Sequence, residues 1–157
     1  GPMVTSAIKT FTQQVNWKDL DFIIVDMPPG TGDAQLTFSQ GIEMNGAIIV
    51  STPQEVALLD VKRGIKMFDK LGVKILGLID NMSSFTGDDG KKYAIFGEGG
   101  VKRTAEEFNK EFLAEIPIDP NVGKFGDQGK PIVESDPNNE ISQIYINLAK
   151  KIKSIYF

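Results

Sequence analysis

Asp21-Phe22-Ile23-Ile24-Val25-Asp26, continuing directly into Met27-Pro28-Pro29-Gly30-Thr31-Gly32-Asp33, is the stretch on which the reading of this chain turns. The apolar run between the two carboxylates is rich in β-branched residues and too short for a helix. It does not alternate with polar residues either. That combination predicts a strand buried on both faces, the kind found in parallel sheets. Two prolines and two glycines then forbid further strand and predict an abrupt loop.

Working outward, the same grammar repeats. Gly46-Ala47-Ile48-Ile49-Val50-Ser51 predicts a second buried strand ending at Thr52-Pro53, and Val73 to Ile79 a third ending at Asp80-Asn81-Met82. Phe112 to Ile116 predicts a weaker fourth, ending at Pro117. Between them, Ala57, Val61, Ile65, Phe68 and Leu71 recur near a 3.6-residue period and Gly72 supplies a stop, so Glu55 to Leu71 reads as a helix. Met3 to Val15 places Val4, Ile8, Phe11 and Val15 on one stripe and reads as an amphipathic helix. Ile141, Ile144, Tyr145, Leu148, Ile152 and Ile155 define a last helix, with Lys150, Lys151 and Lys153 suited to its carboxyl end. Alternating strands and helices joined by right-handed crossovers predict an α/β fold: a mostly parallel sheet with helices on both faces. Its functional loops should gather at the strand carboxyl ends. Ser83 to Gly100, rich in Gly and Asp, reads as a mobile surface loop.

Composition narrows the chemistry. The 157 residues suit one domain, residues 1–157, and 17 basic against 21 acidic side chains leave a charge of −4, which gives no general attraction to nucleic acid or an anionic membrane. With no His and no Cys, the chain cannot supply a Ser-His-Asp triad, a thiol nucleophile, a disulfide or a Cys-ligated iron–sulfur cluster. Only oxygen ligands remain for metals, which favours a hard cation such as magnesium. No secretory signal layout opens the sequence, so a cytoplasmic location is the default expectation.

Pro28 to Asp33 resembles the core of a phosphate-binding P-loop, yet it is not one. Against the pattern G-x-x-x-x-G-K-[ST], the first glycine is Met27, the lysine is Asp33 and the hydroxyl residue is Ala34. A carboxylate in the lysine position repels phosphate. Gly97 to Thr104 is a second near miss, with the wrong spacing. What the first segment does match is the other half of such a site: a strand ending in a carboxylate, Asp26, that can hold magnesium, followed by a glycine loop able to sense the terminal phosphate. By this pattern alone, Asp26 could equally cap the turn that follows it.

The segments 21–37 (DFIIVDMPPGTGDAQLT), 46–68 (GAIIVSTPQEVALLDVKRGIKMF), 77–85 (GLIDNMSSF), 95–100 (IFGEGG) and 115–120 (EIPIDP) together closely resemble the carboxyl-terminal part of the Mrp-type iron–sulfur carrier ATPases. These belong with MinD, ParA and the nitrogenase iron protein in one deviant P-loop group. The resemblance implies a partial, MinD-like P-loop NTPase fold lacking its P-loop strand. That strand would lie between the Asp21–Asp26 and Gly46–Ser51 strands. Its absence predicts re-pairing of those two, filling by another chain, or aggregation.

By position, the resemblance makes Asp26 the carboxylate near magnesium and Gly30, Thr31, Gly32 and Asp33 the switch loop, with Asp26, Gly30 and Asp33 the catalytic set. Thr52, Pro53 and Gln54 become a loop beside the site, Asn81 the partner of the adenine edge, and Pro117 to Pro120, with Asp119 among them, the segment packing on the base. An amide suits the adenine edge because it donates and accepts at once. Read without the resemblance, Asn81 is also a common turn former.

The implied cofactors are ATP and Mg2+. The implied partners are iron–sulfur apo-proteins and a second copy of the full-length protein. Where many relatives carry a Cys-x-x-Cys pair bridging a cluster across a homodimer, this chain has Thr86-Gly87-Asp88-Asp89-Gly90, which argues against a cluster held by these residues. The implied function is ATP-dependent iron–sulfur cluster assembly or transfer, with this chain inactive alone. The alternatives are a ParA- or MinD-like positioning ATPase and a non-catalytic interaction module.

Overall fold

A computed structural model of the chain describes residues 6–7, 10–11, 14–27 and 33–157. Its centre is a parallel set of three strands, β1 (Ala47–Ser51), β2 (Ile75–Thr86) and β4 (Phe112–Ile118), with β2 in the middle. A short strand β3 (Lys92–Tyr93) runs antiparallel to the far end of β2. The helices are α1 (Asp33–Gly41), α2 (Glu55–Lys70), α3 (Gly100–Glu107), α4 (Pro120–Asp127), α5 (Ile132–Ser135) and α6 (Glu140–Tyr156).

Successive residues of a strand face opposite sides, and the two cores follow from that. Leu78 and Ile49 join Leu58, Val61 and Ile65 of α2 and Val101 and Ala105 of α3 on one side of the sheet. Their chain neighbours Ile79 and Ile48 join Ile116 of β4, Ile132 of α5 and Ile141 of α6 on the other. Unbroken apolar runs in the sequence therefore report burial on both faces, as parallel strands require. At the end of α2, Gly72 turns left-handed (φ 71°) and Val73 N–H donates to the Phe68 carbonyl, closing the helix where its glycine predicts.

Four expectations need correction. The Asp21–Asp26 run forms no strand: residues 22–27 carry no regular structure, and Ile24 is 92% exposed. A strand is made by its ladder partner as much as by its own propensity, and among the described residues nothing pairs with this segment. Phe22 alone is anchored, its ring meeting those of Tyr156 and Phe157 edge to face at centroid distances of 6.3 and 5.5 Å. The segment has not re-paired with β1 either, whose outer edge is unpaired among the described residues.

The expected loop from Ser83 to Gly100 is instead an extension of β2, a hairpin to β3 and an approach to α3. The third and fourth strands are both longer than expected, with β4 continuing past Pro117 to Ile118. Proline is tolerated there because β4 is an edge strand among the described residues. In the expected amino-terminal helix, Ser6, Ala7, Thr10 and Phe11 are helical, but Phe11 and Val15 of its stripe are exposed. Val4 and Ile8 lie outside the described residues.

Candidate functional site

The strand register brings three of the expected site residues near one another. Ser51 is opposite Asp80 on β1 and β2, and Asn81 is opposite Ile116 on β2 and β4. Thr52, the next residue after Ser51, is thus level with Asn81 in the middle of β2, and Pro117 lies one residue beyond Ile116 on β4, with neighbouring strands about 4.8 Å apart. Among the described residues no side-chain hydrogen bond engages the Asn81 amide. Met82, the next residue, holds a left-handed backbone (φ 57°). For an unbranched non-glycine residue that conformation costs on the order of 1 kcal/mol, and such outliers cluster at functional positions.

Two flanking loops are pinned by short-range packing. Pro53 is buried, and a Cβ on Gly100 would lie 2.5 Å from its carbonyl oxygen and 2.8 Å from Leu58 Cδ1. Only glycine lets α3 begin this close to the Thr52-Pro53-Gln54 turn, and Gly99 before it is left-handed (φ 67°). The Gly97–Gly100 sequence that fails as a P-loop therefore works as a packing loop against the site.

On the other flank, Asp119 caps α4. Pro120 at the first helical position holds Asp119 extended, and its Oδ1 accepts from the Asn121 N–H at 2.8 Å. Its Oδ2 accepts from the Asn139 side-chain Nδ2 at 3.0 Å, while Asn139 Oδ1 caps α6 by accepting from the Ile141 N–H at 2.8 Å. Both oxygens of the Asp119 carboxylate are engaged, so Asp119 shapes the Pro117–Pro120 corner. Replacing Asn139 by alanine removes a cap and the cross-link together. An expected loss of about 1 to 2 kcal/mol in urea unfolding tests this.

The strongest electrostatic feature is one the sequence reading passed over. Asp80 is 1% exposed, its Oδ1 has no hydrogen-bond partner, and burial, followed by repulsion from Glu115 on β4, pushes its carboxyl up to about 6. The available signal was a carboxylate placed directly after Leu76-Gly77-Leu78-Ile79 inside an apolar strand, where charge is rare.

The metal-side residues are not assembled. Asp26 lies exposed on the unpaired segment, Gly30, Thr31 and Gly32 fall outside the described residues, and Asp33 opens α1. Among the described residues no group of three acidic side chains could hold a metal ion. The metal half of the expected nucleotide site does not come together within the described part.

A cluster does not fit the hairpin. Gly87 N–H donates to the Lys91 carbonyl, and Asp89 accepts from the Lys91 N–H and the Tyr93 hydroxyl, which together hold its carboxyl below the usual range. The turn is closed on itself and contains no thiolate.

Comparison with known proteins shows the family and the fold. An iron–sulfur cluster carrier protein of Synechocystis is 47% identical over 97% of this chain and 44% of its own length. An Arabidopsis thaliana protein named as an iron–sulfur protein required for NADH dehydrogenase is 48% identical over 97% of this chain and 49% of its own length. The chain thus spans about half the length of the curated relatives it matches. A nucleotide-binding protein of Archaeoglobus fulgidus, solved with ADP, superposes with a TM-score of 0.74 at 40% identity, covering 82% of this chain and 53% of that one. The cell-division ATPase MinD of Pyrococcus furiosus shares the fold at a TM-score of 0.69 and 23% identity, over 97% of this chain and 57% of its own. The family model described as NUBPL iron-transfer P-loop NTPase, within the ParA group, matches residues 1–153, and this chain belongs to that family.

Proposed function

We propose that this chain is the nucleotide-sensing carboxyl-terminal portion of an ATP-dependent iron–sulfur cluster carrier. The observation that supports the reading is the neighbourhood of Thr52, Asn81 and Pro117 on and beside three adjacent parallel strands, with the Asn81 amide unengaged by any described side chain. Asn81 reads the adenine edge and the Pro117–Pro120 corner packs on the base. Asp26 stands near magnesium, with Gly30 to Asp33 as the loop that responds to the terminal phosphate. The phosphate cradle itself belongs to a portion of the protein outside this sequence, because no complete G-x-x-x-x-G-K-[ST] occurs in it. ATP and magnesium bind once both portions are joined, in a cytoplasmic homodimer, and the clients are apo-proteins that accept clusters. Any cluster is held by cysteines outside this chain.

The test is titration calorimetry with magnesium-ATP on this chain and on a polypeptide that joins it to a P-loop portion. The joined protein is expected to bind and the chain alone not to. Asn81→Ala in the joined protein should weaken ATP roughly tenfold to a hundredfold through loss of a paired donor and acceptor. Tight binding by the isolated chain overturns the divided site, and unchanged affinity in the Asn81 variant overturns its role.

A further inference from the structure

Away from the strand ends, α4, α5 and α6 enclose a groove of about 680 Å³, lined by Val122, Gly126, Pro131, Val133, Ile146 and Ala149. Almost all of that lining is apolar; Lys130 is the one charged residue in it. Gly126, Gly129, Pro131 and Ala149 are exposed, so the groove is an open trough. At Gly126 and Gly129 no atom lies within 4 Å of where a Cβ would be, which leaves two gaps in the wall. An open trough with a side-chain-free rim suits the protruding side chains of a helix better than an engulfed small molecule.

Charge settles what kind of helix. Lys150 and Lys153 lie one turn beyond Ile146 and Ala149 on the same face of α6, continuing the groove towards the helix carboxyl end. Lys130 adds a third cation within it. Among the described residues none of these three is in an ion pair, whereas Lys151, between the two on the helix, pairs with Glu111. Asp127 and Glu134 lie three and four residues from Lys130 in the chain, so the basic character rests mainly on Lys150 and Lys153 of α6.

We infer that this groove docks an amphipathic helix of a partner protein, with its apolar face on the trough and acidic residues over Lys130, Lys150 and Lys153. The inference stands apart from the nucleotide reading, because Thr52, Asn81 and Pro117 do not line the groove.

The probe is a fluorescein-labelled synthetic helix with leucines at i, i+3, i+4 and i+7 and glutamates elsewhere, titrated into this chain. Saturable binding in the range of roughly 10–100 μM is expected, weakening with added salt. Amide shifts in the 15N-labelled chain should concentrate at residues 122–133 and 145–153. The double variant Lys150→Glu/Lys153→Glu should weaken the peptide about tenfold and prefer the version carrying lysine for glutamate. Ala149→Glu, at an exposed position and with its fold checked by circular dichroism, should abolish binding.

Three results each overturn the proposal: shifts elsewhere on the surface, equal affinity for acidic and basic peptides, or no binding at millimolar peptide. So does a wild-type dimer in sedimentation that Ala149→Glu dissociates, which would assign the groove to a second copy.

Discussion

Asp80→Asn is expected to stabilise the protein at neutral pH by up to roughly 3 kcal/mol and to remove a pH dependence that the native residue imposes. The native carboxyl is raised from 3.8 to about 6. Between those values the folded state therefore holds more protons than the unfolded state, and stability falls as pH rises through the window. At about 1.4 kcal/mol per pKa unit, the full cost above pH 6 is roughly 3 kcal/mol. Asparagine keeps the shape, carries no charge and removes that slope. Urea unfolding at pH 4, 5, 6 and 7 reads the result directly. A native protein that grows more stable over this range, in parallel with the variant, would show that Asp80 is not the group being titrated.

Gly100→Ala is expected to cost about 1–3 kcal/mol, the range for overpacking a filled site. Its added methyl meets the Pro53 carbonyl at 2.5 Å and Leu58 Cδ1 at 2.8 Å, and the carbonyl is backbone, so the Thr52-Pro53-Gln54 turn must move. The accompanying expectation is local: amide shifts at residues 52–55 and 97–101, with β4 unaffected. Gly64→Ala serves as the contrast. It sits within α2 with nothing within 4 Å, so alanine there should stabilise by about 0.5–1 kcal/mol. Equal behaviour of the two variants would contradict the packing account.

Much of this was legible in the sequence, and the reason differs from element to element. The β1 and β2 runs announced two-sided burial because Ile48-Ile49 and Leu78-Ile79 send neighbours into separate cores. Gly72 fixed the end of α2 by backbone chemistry alone. The Asp21–Asp26 run carried the same signal and still failed, since propensity is local while a ladder needs a neighbour. The Ser83–Gly100 stretch failed in the opposite direction: loop-like composition concealed a hairpin held by Asp89. For the site, the family resemblance pointed to Asn81 and Pro117, and the register sets them one position apart on neighbouring strands. Asp80 and Gly100 escaped because their significance lies in what packs against them, which no linear pattern displays.

The shared caps of α4 and α6 make the start of the last helix structurally responsible for a corner formed twenty residues earlier. Asp119 and Asn139 are twenty positions apart, yet each helps to hold the other's turn. Clipping the chain before residue 139 would therefore do more than uncover one side of the sheet. It would loosen the bend at Pro117–Pro120 on which a purine ring is proposed to rest, so the tail serves as a remote buttress for recognition.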